Sequence, residues 1–238
     1  MRPSTRYEIK YRISRTHAEA VRAWIARHME PDAFGEGGAA RYHVHSLYLD
    51  NADWRLYRET RNGTKARFKL RARIYDFDGV SPAFLEVKAR DGEAMAKTRA
   101  AVSRGDAVAV LEGRVPSCPD SVPLRNFRDH VDRLRAYPRA WVTYVRSAWV
   151  GGDRGLVRVT FDSDIACAPP TTGFAPPPRW HLLPEVRDKV VLELKYTGSY
   201  PRWLADTIRT FDLERRAMSK YRQSVEHLGA LADGRSTS

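Results

Sequence analysis

Five segments of this chain alternate between apolar residues and residues that are mostly charged, and this period of two constrains the fold more than any other feature. The segments are residues 7–13, 67–74, 85–90, 157–162 and 190–195. Successive side chains of a β-strand point to opposite faces of its sheet. The pattern therefore predicts strands with one apolar face and one largely charged face, in a protein built mainly of antiparallel sheet.

The charged faces have an ordinary explanation, because half-buried antiparallel strands often turn polar residues toward water. The segment 67–74 weakens that explanation, since it places four cations and no carboxylate on one face. These cations are Arg67, Lys69, Arg71 and Arg73. Like charges on one face repel each other unless an anion is present, whereas a face that only confers solubility mixes both signs.

Three other segments repeat one pairing, in which a Glu is followed two residues later by a Lys. The pairs are Glu8 with Lys10, Glu86 with Lys88, and Glu193 with Lys195. A spacing of two keeps both groups on the same face of a strand. Cations neutralise phosphate oxygens and carboxylates hold a hard divalent metal, so such a face suits a phosphate chain that carries a metal ion.

Helical patterns are few, and we expect the helices to cover the apolar faces of the strands. They are predicted over residues 16–29, 124–134, 200–211 and 219–231. Thr16 is the candidate cap of the first, with Glu19 three residues later completing a capping box. If the charged faces point inward, the strands can close into a barrel with a polar bore and a helix-covered exterior.

The net charge of +12 favours an anionic partner, which could be nucleic acid, anionic lipid or a phosphorylated small molecule. The chain has no recognisable RNP, KH, helix-turn-helix or zinc module, so we expect no specific nucleic-acid partner. Its 238 residues suit one large β-rich domain or two small ones. We expect a single domain over residues 1–233 and a disordered tail over 234–238.

The cysteine content and the absence of long apolar stretches bear on location. Cys118 and Cys167 stand near prolines, and no CxxC spacing exists, which is typical of reduced thiols in a cytosolic protein. The N-terminus has no apolar signal-peptide region, and no stretch approaches the ~18 apolar residues of a membrane span. The sequence thus predicts a soluble cytoplasmic protein without a membrane span.

Two smaller patterns have ordinary interpretations. His43 and His45 alternate on one segment and could suggest a metal pair, but no third ligand stands nearby, so ordinary polar strand residues are favoured. Gly151, Gly152 and Asp153 resemble a phosphate loop, but a hairpin turn between two strands explains them better.

An ordered series of motifs resembles a known family. In chain order they are YEIKY at 7–11, HSLYLD at 45–50, LRARIY at 70–75, FLEVK at 84–88, AKTR at 96–99, VRSA at 145–148, VRVTFD at 157–162, VLELK at 191–195 and SKY at 219–221. The series resembles the catalytic domain of the vacuolar transporter chaperone (VTC) family, a branch of the triphosphate tunnel metalloenzymes. Wider relatives include the CYTH phosphatases and adenylyl cyclases.

The chain departs from the motifs of these families at two positions. Arg6 stands where the CYTH signature ExExK has its first Glu, which favours the VTC branch. Ala217 stands where many VTC proteins have a basic residue before the terminal Ser-Lys, although Arg215 and Arg216 are close by. The resemblance spans about residues 6–228.

The resemblance implies an α+β fold, with an antiparallel eight-stranded β-tunnel, a charged interior and a few α-helices as cladding. The residues implied to bind phosphate are Lys10, Arg71, Arg73, Lys88, Lys97, Arg146, Arg158, Ser219 and Lys220. All of these except Lys97 and Ser219 are also predicted to act in catalysis. Glu193 would hold Mn²⁺ or Mg²⁺, helped by Glu8 or Glu86 through water.

The leading hypothesis for function is a metal-dependent polyphosphate polymerase that transfers the γ-phosphoryl group of ATP to a growing polyphosphate chain. With water as acceptor, the same site would be an inorganic or nucleoside triphosphatase. A third possibility is a non-catalytic module that binds polyphosphate or triphosphate. The expected partners are therefore ATP and polyphosphate or triphosphate, and the oligomeric state is not predicted.

Overall fold

A computed structural model of the chain describes residues 6–32, 41–92, 94–151, 157–198, 201–216 and 218–233, with only the backbone of Arg6. The predicted turn at Gly152 and Asp153, the departure at Ala217 and the predicted tail over 234–238 lie outside these residues.

Within the described residues the chain forms strands and helices in mixed order. The strands are β1 (Arg6–Ser14), β2 (Met29–Pro31), β3 (Arg41–Asp50), β4 (Ala66–Ile74), β5 (Ala83–Asp91), β6 (Ala94–Val102), β7 (Tyr137–Gly151), β8 (Val157–Ala168), β9 (His181–Leu182) and β10 (Lys189–Thr197). The helices are α1 (Arg15–Ile25), α2 (Arg55–Arg61), α3 (Arg104–Leu111), α4 (Val122–Leu134), α5 (Arg202–Thr210) and α6 (Lys220–Ala232), with a 3₁₀ turn at Pro184–Val186.

These elements divide into two compact units. The first unit contains residues 1–43, 144–165 and 184–218, and the second contains residues 44–143, 166–183 and 219–238. Three strands, β3, β7 and β8, contribute residues to both units.

The first unit has the strand order β1-β10-β8-β7, and its central pairs are antiparallel. Ile13, Val159 and Leu192 share one apolar core with Val21 and Ile25 of α1. This packing confirms that the apolar faces of these strands are covered by a helix. The opposite faces carry the charged residues, because the register places Lys10 opposite Glu193 and Glu8 opposite Lys195.

The second unit has the strand order β7-β3-β4-β5-β6, and β9 pairs with the end of β8. Leu70 and Ile74 are fully buried, and they share a core with Leu124, Phe127 and Val131 of α4. The predicted packing of the apolar face of β4 against a helix is therefore confirmed. β4 and β5 are paired antiparallel over eight residue pairs, with Arg71 opposite Glu86.

All four predicted helices are present, with shifted ends. The first begins at Arg15 and not at Thr16, because Ser14 caps it by accepting a 3.1 Å hydrogen bond from the His17 amide. The capping box predicted for Thr16 and Glu19 is therefore wrong. That helix ends at Ile25, and α6 begins at Lys220 with Ser219 as its cap. The structure adds α2 and α3, which the sequence patterns did not predict.

The α+β fold class with mainly antiparallel strands is confirmed. Of the ten strands in the described part of the chain, eight lie in these two strand orders, while β2 pairs with β7 and β9 pairs with β8. A closed bore with a charged lining stays a prediction. Among the residues that the structure describes, no helix combines the length and apolar character needed to cross a membrane.

Candidate functional site

The charged face of the second unit is centred on Glu86, a fully buried carboxylate of β5. Its Oε2 lies 2.6 Å from Nε of Arg71 and 3.9 Å from Nε of Arg73, both on β4. Its Oε1 lies 2.6 Å from Nζ of Lys97 and 2.9 Å from Nε of Arg99, both on β6. Antiparallel pairing on both sides of β5 places one carboxylate among four cations.

This arrangement shifts the protonation of the groups involved. Burial alone would raise the pKa of Glu86, but Arg71, Arg73 and Lys97 hold that pKa far below its usual range. Burial lowers the pKa of Lys97 to about 7, since Arg71 and Arg73 add to the effect and Glu86 only partly opposes it. The cluster contains four cations and one carboxylate. Repulsion from Arg71 and Arg73 makes the proton of Lys97 easier to remove.

The excess of cations continues along the same face toward the start of β4. Lys69 lies directly opposite Lys88, and Lys88 lies opposite Lys97 on its other side. Lys69 donates a 2.9 Å hydrogen bond from Nζ to Oγ of Ser219, the cap of α6. The predicted residues Arg71, Arg73, Lys88 and Lys97 therefore lie on one sheet face, and Ser219 reaches it from the helix.

Tyr48 of β3 also belongs to this face. Its hydroxyl accepts a 3.0 Å hydrogen bond from Nη1 of Arg71. Burial would raise the pKa of this phenol, but Arg71, Arg73 and Lys220 together lower it. The predicted residue Lys220 therefore acts on the same phenol as the two arginines of β4.

The charged face of the first unit alternates cations with carboxylates. Nζ of Lys10 lies 3.1 Å from Glu8 and 3.4 Å from Glu193. Nζ of Lys195 lies 2.8 Å from the other oxygen of Glu193. Burial would lower the pKa of Lys10, but Glu193 and Glu8 outweigh it and raise that pKa.

Two predicted phosphate ligands of this unit, Arg146 and Arg158, form ion pairs with carboxylates of the same unit. Arg146 donates two hydrogen bonds, of 2.7 and 2.8 Å, to the fully buried carboxylate of Asp162. Arg158 pairs with Asp32 and lies 3.4 Å from the hydroxyl of Tyr42. The bidentate geometry makes the Arg146 pair the more rigid of the two.

The carboxylates of the two charged faces differ in how well their surroundings suit a metal ion. Among the described residues, no group of three or more His, Cys, Asp or Glu side chains could hold one. Glu8 and Glu193 nevertheless converge on a single ammonium, and two carboxylates suffice for Mg²⁺ or Mn²⁺ when phosphate oxygens and water supply the other ligands. Glu86 has a different setting, since four cations surround it.

The histidine pattern has a structural explanation for His45. Its Nδ1 lies 2.8 Å from Oγ1 of Thr143, and its ring lies 4.3 Å from that of Phe77. His45 is 8% exposed, which fits a buried polar strand residue.

Sequence reasoning left several members of these faces out of the candidate site. They are Tyr48, Lys69, Arg99 and Lys195. Lys69, Arg99 and Lys195 had a signal, because each stands two residues from a predicted ligand on the same strand. Tyr48 had none of that kind, because its role depends on the pairing of β3 with β4.

Known structures share this fold. A candidate adenylate cyclase from Bacillus halodurans matches with a TM-score of 0.51 at 13% identity, over 92% of this chain and 96% of that chain. Another, from Vibrio parahaemolyticus, matches with a TM-score of 0.50 at 13% identity, over 93% of this chain and 98% of that chain. These similarities show the class of fold, an antiparallel sheet with covering helices that the chain shares with these structures.

The family is shown by a second comparison. The model of the VTC domain matches residues 5–228, which is nearly the whole chain. The chain belongs to the VTC domain family. A comparison with curated proteins found no match.

Proposed function

We propose that this protein is a metal-dependent polyphosphate polymerase, which transfers the γ-phosphoryl group of ATP to the end of a polyphosphate chain. Membership of the VTC domain family and the triphosphate tunnel fold support an activity on triphosphates. The single observation that carries the proposal is the cluster around Glu86, where Arg71, Arg73, Lys97 and Arg99 meet one buried carboxylate.

An anion is the natural complement of that cluster. Four cations around one carboxylate leave a surplus of positive charge, and like charges held this close repel each other. Glu86 holds the four cations together and contributes one negative charge to the cluster. A chain of phosphate groups would neutralise the remainder and would gain charge-assisted hydrogen bonds from the arginines.

The proposed phosphate ligands follow the sequence prediction and add two residues. They are Lys10, Arg71, Arg73, Lys88, Lys97, Arg146, Arg158, Ser219 and Lys220, with Lys69 and Arg99 as additions. Arg146 and Arg158 would bind phosphate with the donors that Asp162 and Asp32 leave available. Two guanidinium nitrogens of Arg146 are engaged by Asp162, whose carboxylate also balances the charge, so only Nη1 would donate to a phosphate.

Glu193 and Glu8 are the proposed metal ligands. Both offer carboxylate oxygens beside Lys10, and hard divalent cations are bound in phosphoryl-transfer enzymes by one or two carboxylates plus phosphate oxygens. Mn²⁺ or Mg²⁺ bound there would neutralise charge on the phosphate oxygens. Glu86, which sequence reasoning also proposed as a ligand, is better suited to orient the cations that surround it.

The residues of the chain would act by position and charge, with little covalent chemistry. Arginines fixed by Glu86 would hold the donor phosphates, and the lysines would follow the acceptor chain. Because these groups are already held in place before binding, they would stabilise transition-state charge without reorganising.

The test is to incubate the purified protein with ATP and Mn²⁺ and to measure long-chain polyphosphate, ADP and free phosphate separately. We expect polyphosphate and ADP to rise together. Free phosphate without polyphosphate would make the protein a triphosphatase. Tight polyphosphate binding without consumption of ATP or triphosphate, with either Mn²⁺ or Mg²⁺, would make it a binding module and would overturn the proposal.

A further inference from the structure

Buried contacts hold the first turn of α6, the helix that carries Lys220. Asp50, the last residue of β3, is fully buried. Its Oδ2 accepts a 2.7 Å hydrogen bond from the hydroxyl of Tyr221, the second residue of α6, which is 1% exposed. This bond ties the start of α6 to the strand that also carries Tyr48.

Asp50 is itself held rigidly from the other side. Its two oxygens accept 2.9 Å hydrogen bonds from the backbone amides of Leu56 and Tyr57, in the first turn of α2. Trp54, which precedes α2, makes no side-chain capping bond. Asp50, on the strand that precedes α2, therefore accepts the hydrogen bonds that a capping residue usually accepts. These bonds fix the orientation of the carboxylate that the Tyr221 hydroxyl binds.

The ring of Tyr221 continues this path to the cationic face. It stacks on Tyr48 with ring centroids 4.9 Å apart and an interplanar angle of 17°. The Tyr48 hydroxyl in turn accepts the 3.0 Å hydrogen bond from Arg71. A change in the position of Tyr221 would therefore reach Arg71 through one aromatic contact and one hydrogen bond.

Lys220 lies between two residues that are both fixed. On one side, Ser219 accepts hydrogen bonds from Nζ of Lys69 at 2.9 Å and from the amide of Arg222 at 3.2 Å. On the other side, Tyr221 is held by Asp50 and Tyr48. The backbone of Lys220 therefore has little freedom, and its side chain starts from a defined place.

We propose that Asp50 and Tyr221 are positioning residues, which fix Arg71 and Lys220 so that both meet one phosphate anion. The proposal rests on the proposed function, because it assumes that this face binds phosphate. Neither Asp50 nor Tyr221 would touch the anion. They would act by holding the two cations in a preorganised geometry, which is what makes a charged group effective in such a site.

A double-mutant cycle tests the proposal, with the dissociation constant of tripolyphosphate measured by calorimetry. Tyr221→Phe keeps the stacked ring but removes the bond to Asp50, and we expect about tenfold weaker binding. Lys220→Ala should also weaken binding about tenfold. The double variant should weaken it by no more than about twentyfold, because Lys220 loses its advantage once it is no longer positioned. An additive loss of about a hundredfold would overturn the proposal.

Tyr57→Phe is the matched control. It removes another hydroxyl-to-carboxylate contact between α2 and α6, the 3.3 Å one from Tyr57 to Glu226, which lies outside the path to Arg71. We expect its binding constant to remain within about twofold of the wild-type value. A loss as large as that of Tyr221→Phe would show that any contact between these two helices has the same effect, and the assignment of Tyr221 would fail.

A measurement without ligand separates this proposal from the proposed function. In Tyr221→Phe, hydrogen exchange at the amides of Arg222 and Gln223, which are bonded to Ser219, should be at least about tenfold faster. Exchange in α4 should not change. If wild-type protein does not bind tripolyphosphate, the proposed function fails and exchange alone decides whether Tyr221 positions α6. Unchanged exchange at both amides would overturn the positioning role.

Discussion

The ammonium of Lys97 lies 2.6 Å from Oε1 of Glu86, yet the pKa of Lys97 is lowered to about 7. Burial is the largest cause, and the attraction of Glu86 does not compensate for it because Arg71 and Arg73 repel the same proton. The proton of Lys97 is therefore held less firmly than that of an ordinary lysine, although 38% of the side chain is exposed. An anion that binds the cluster would favour the protonated form.

This relationship predicts that tripolyphosphate binding is linked to pH. A bound polyanion favours protonated Lys97 and raises its pKa above 7, so binding takes up a proton at neutral pH. Affinity should then fall as the pH rises from 6 to 8, by about tenfold from this one group. Calorimetry in two buffers with different ionisation enthalpies would measure both the affinity and the proton uptake.

The control for this prediction is Lys97→Arg, which carries a permanent charge at the same position. Tripolyphosphate also titrates in this range, and its titration affects both proteins equally. The difference between the two pH profiles therefore reports Lys97 alone. Identical profiles for the wild-type protein and the arginine variant would show that the proton is taken up elsewhere.

A second prediction concerns stability and follows from the burial of Glu86. Glu86→Gln keeps the shape of the side chain but leaves four cations around a neutral amide, so the free energy of unfolding should fall by about 3 kcal/mol. Tripolyphosphate should restore more stability to this variant than it adds to the wild-type protein, because it replaces the missing negative charge. Urea unfolding with and without tripolyphosphate would measure both effects.

Glu112→Gln provides the comparison, since Glu112 forms its ion pair with Arg114 on the surface of the same unit. Its unfolding free energy should change by less than about 0.5 kcal/mol. An equal loss in both variants would mean that Glu86 is not central to the cluster.

The strands and their two faces could be predicted because alternation is a local property of the sequence. Residues 67–74 form a strand in which Leu70 and Ile74 are buried and Arg71 and Arg73 lie on the opposite, charged face. What alternation could not provide was the pairing register. Arg146 and Asp162 are 16 residues apart, and Arg158 and Asp32 are 126 residues apart. No spacing rule connects them.

The sequence patterns did not predict α2 and α3, for two different reasons. The seven-residue helix α2 has no cap at Trp54, and the carboxylate that supports its first turn belongs to Asp50 on a strand. Asp50 stands five residues before the helix begins, which is outside the position where a capping residue is expected. By contrast, α3 begins after Ser103, whose Oγ accepts a hydrogen bond from the amide of Asp106. That Ser-x-x-Asp pattern was a usable signal.

A third prediction tests the proposed metal ligand Glu193. Glu193→Gln keeps the fold but weakens the hold on a hard cation, so metal-dependent ATP turnover should fall at least about a hundredfold. Removing the metal with a chelator should abolish wild-type turnover and should hardly change what remains in the variant. Glu185→Gln, a more exposed position of the same unit that pairs with Arg12 at 3.9 Å, is the control and should keep full activity. Unchanged turnover and unchanged Mn²⁺ dependence in Glu193→Gln would contradict the assignment.

The last prediction separates an enzyme from a binding module through Lys220. A polymerase must hold the nucleotide and the chain end together with their reacting atoms nearly in line, whereas a binding module needs affinity alone. Lys220 extends from the fixed first turn of α6 and acts on Tyr48, the phenol bonded to Arg71.

Lys220→Ala should therefore weaken tripolyphosphate binding only about tenfold, while ATP-to-polyphosphate turnover at saturating ATP falls by about a hundredfold or more. The larger effect on turnover is expected because a preorganised cation stabilises charge that develops only in the transition state. Lys189→Ala, at the exposed start of β10, is the control and should leave both quantities unchanged. If Lys220→Ala weakens binding but leaves turnover at saturating ATP unchanged, Lys220 contributes equally to the ground state and the transition state, and its proposed catalytic role is wrong.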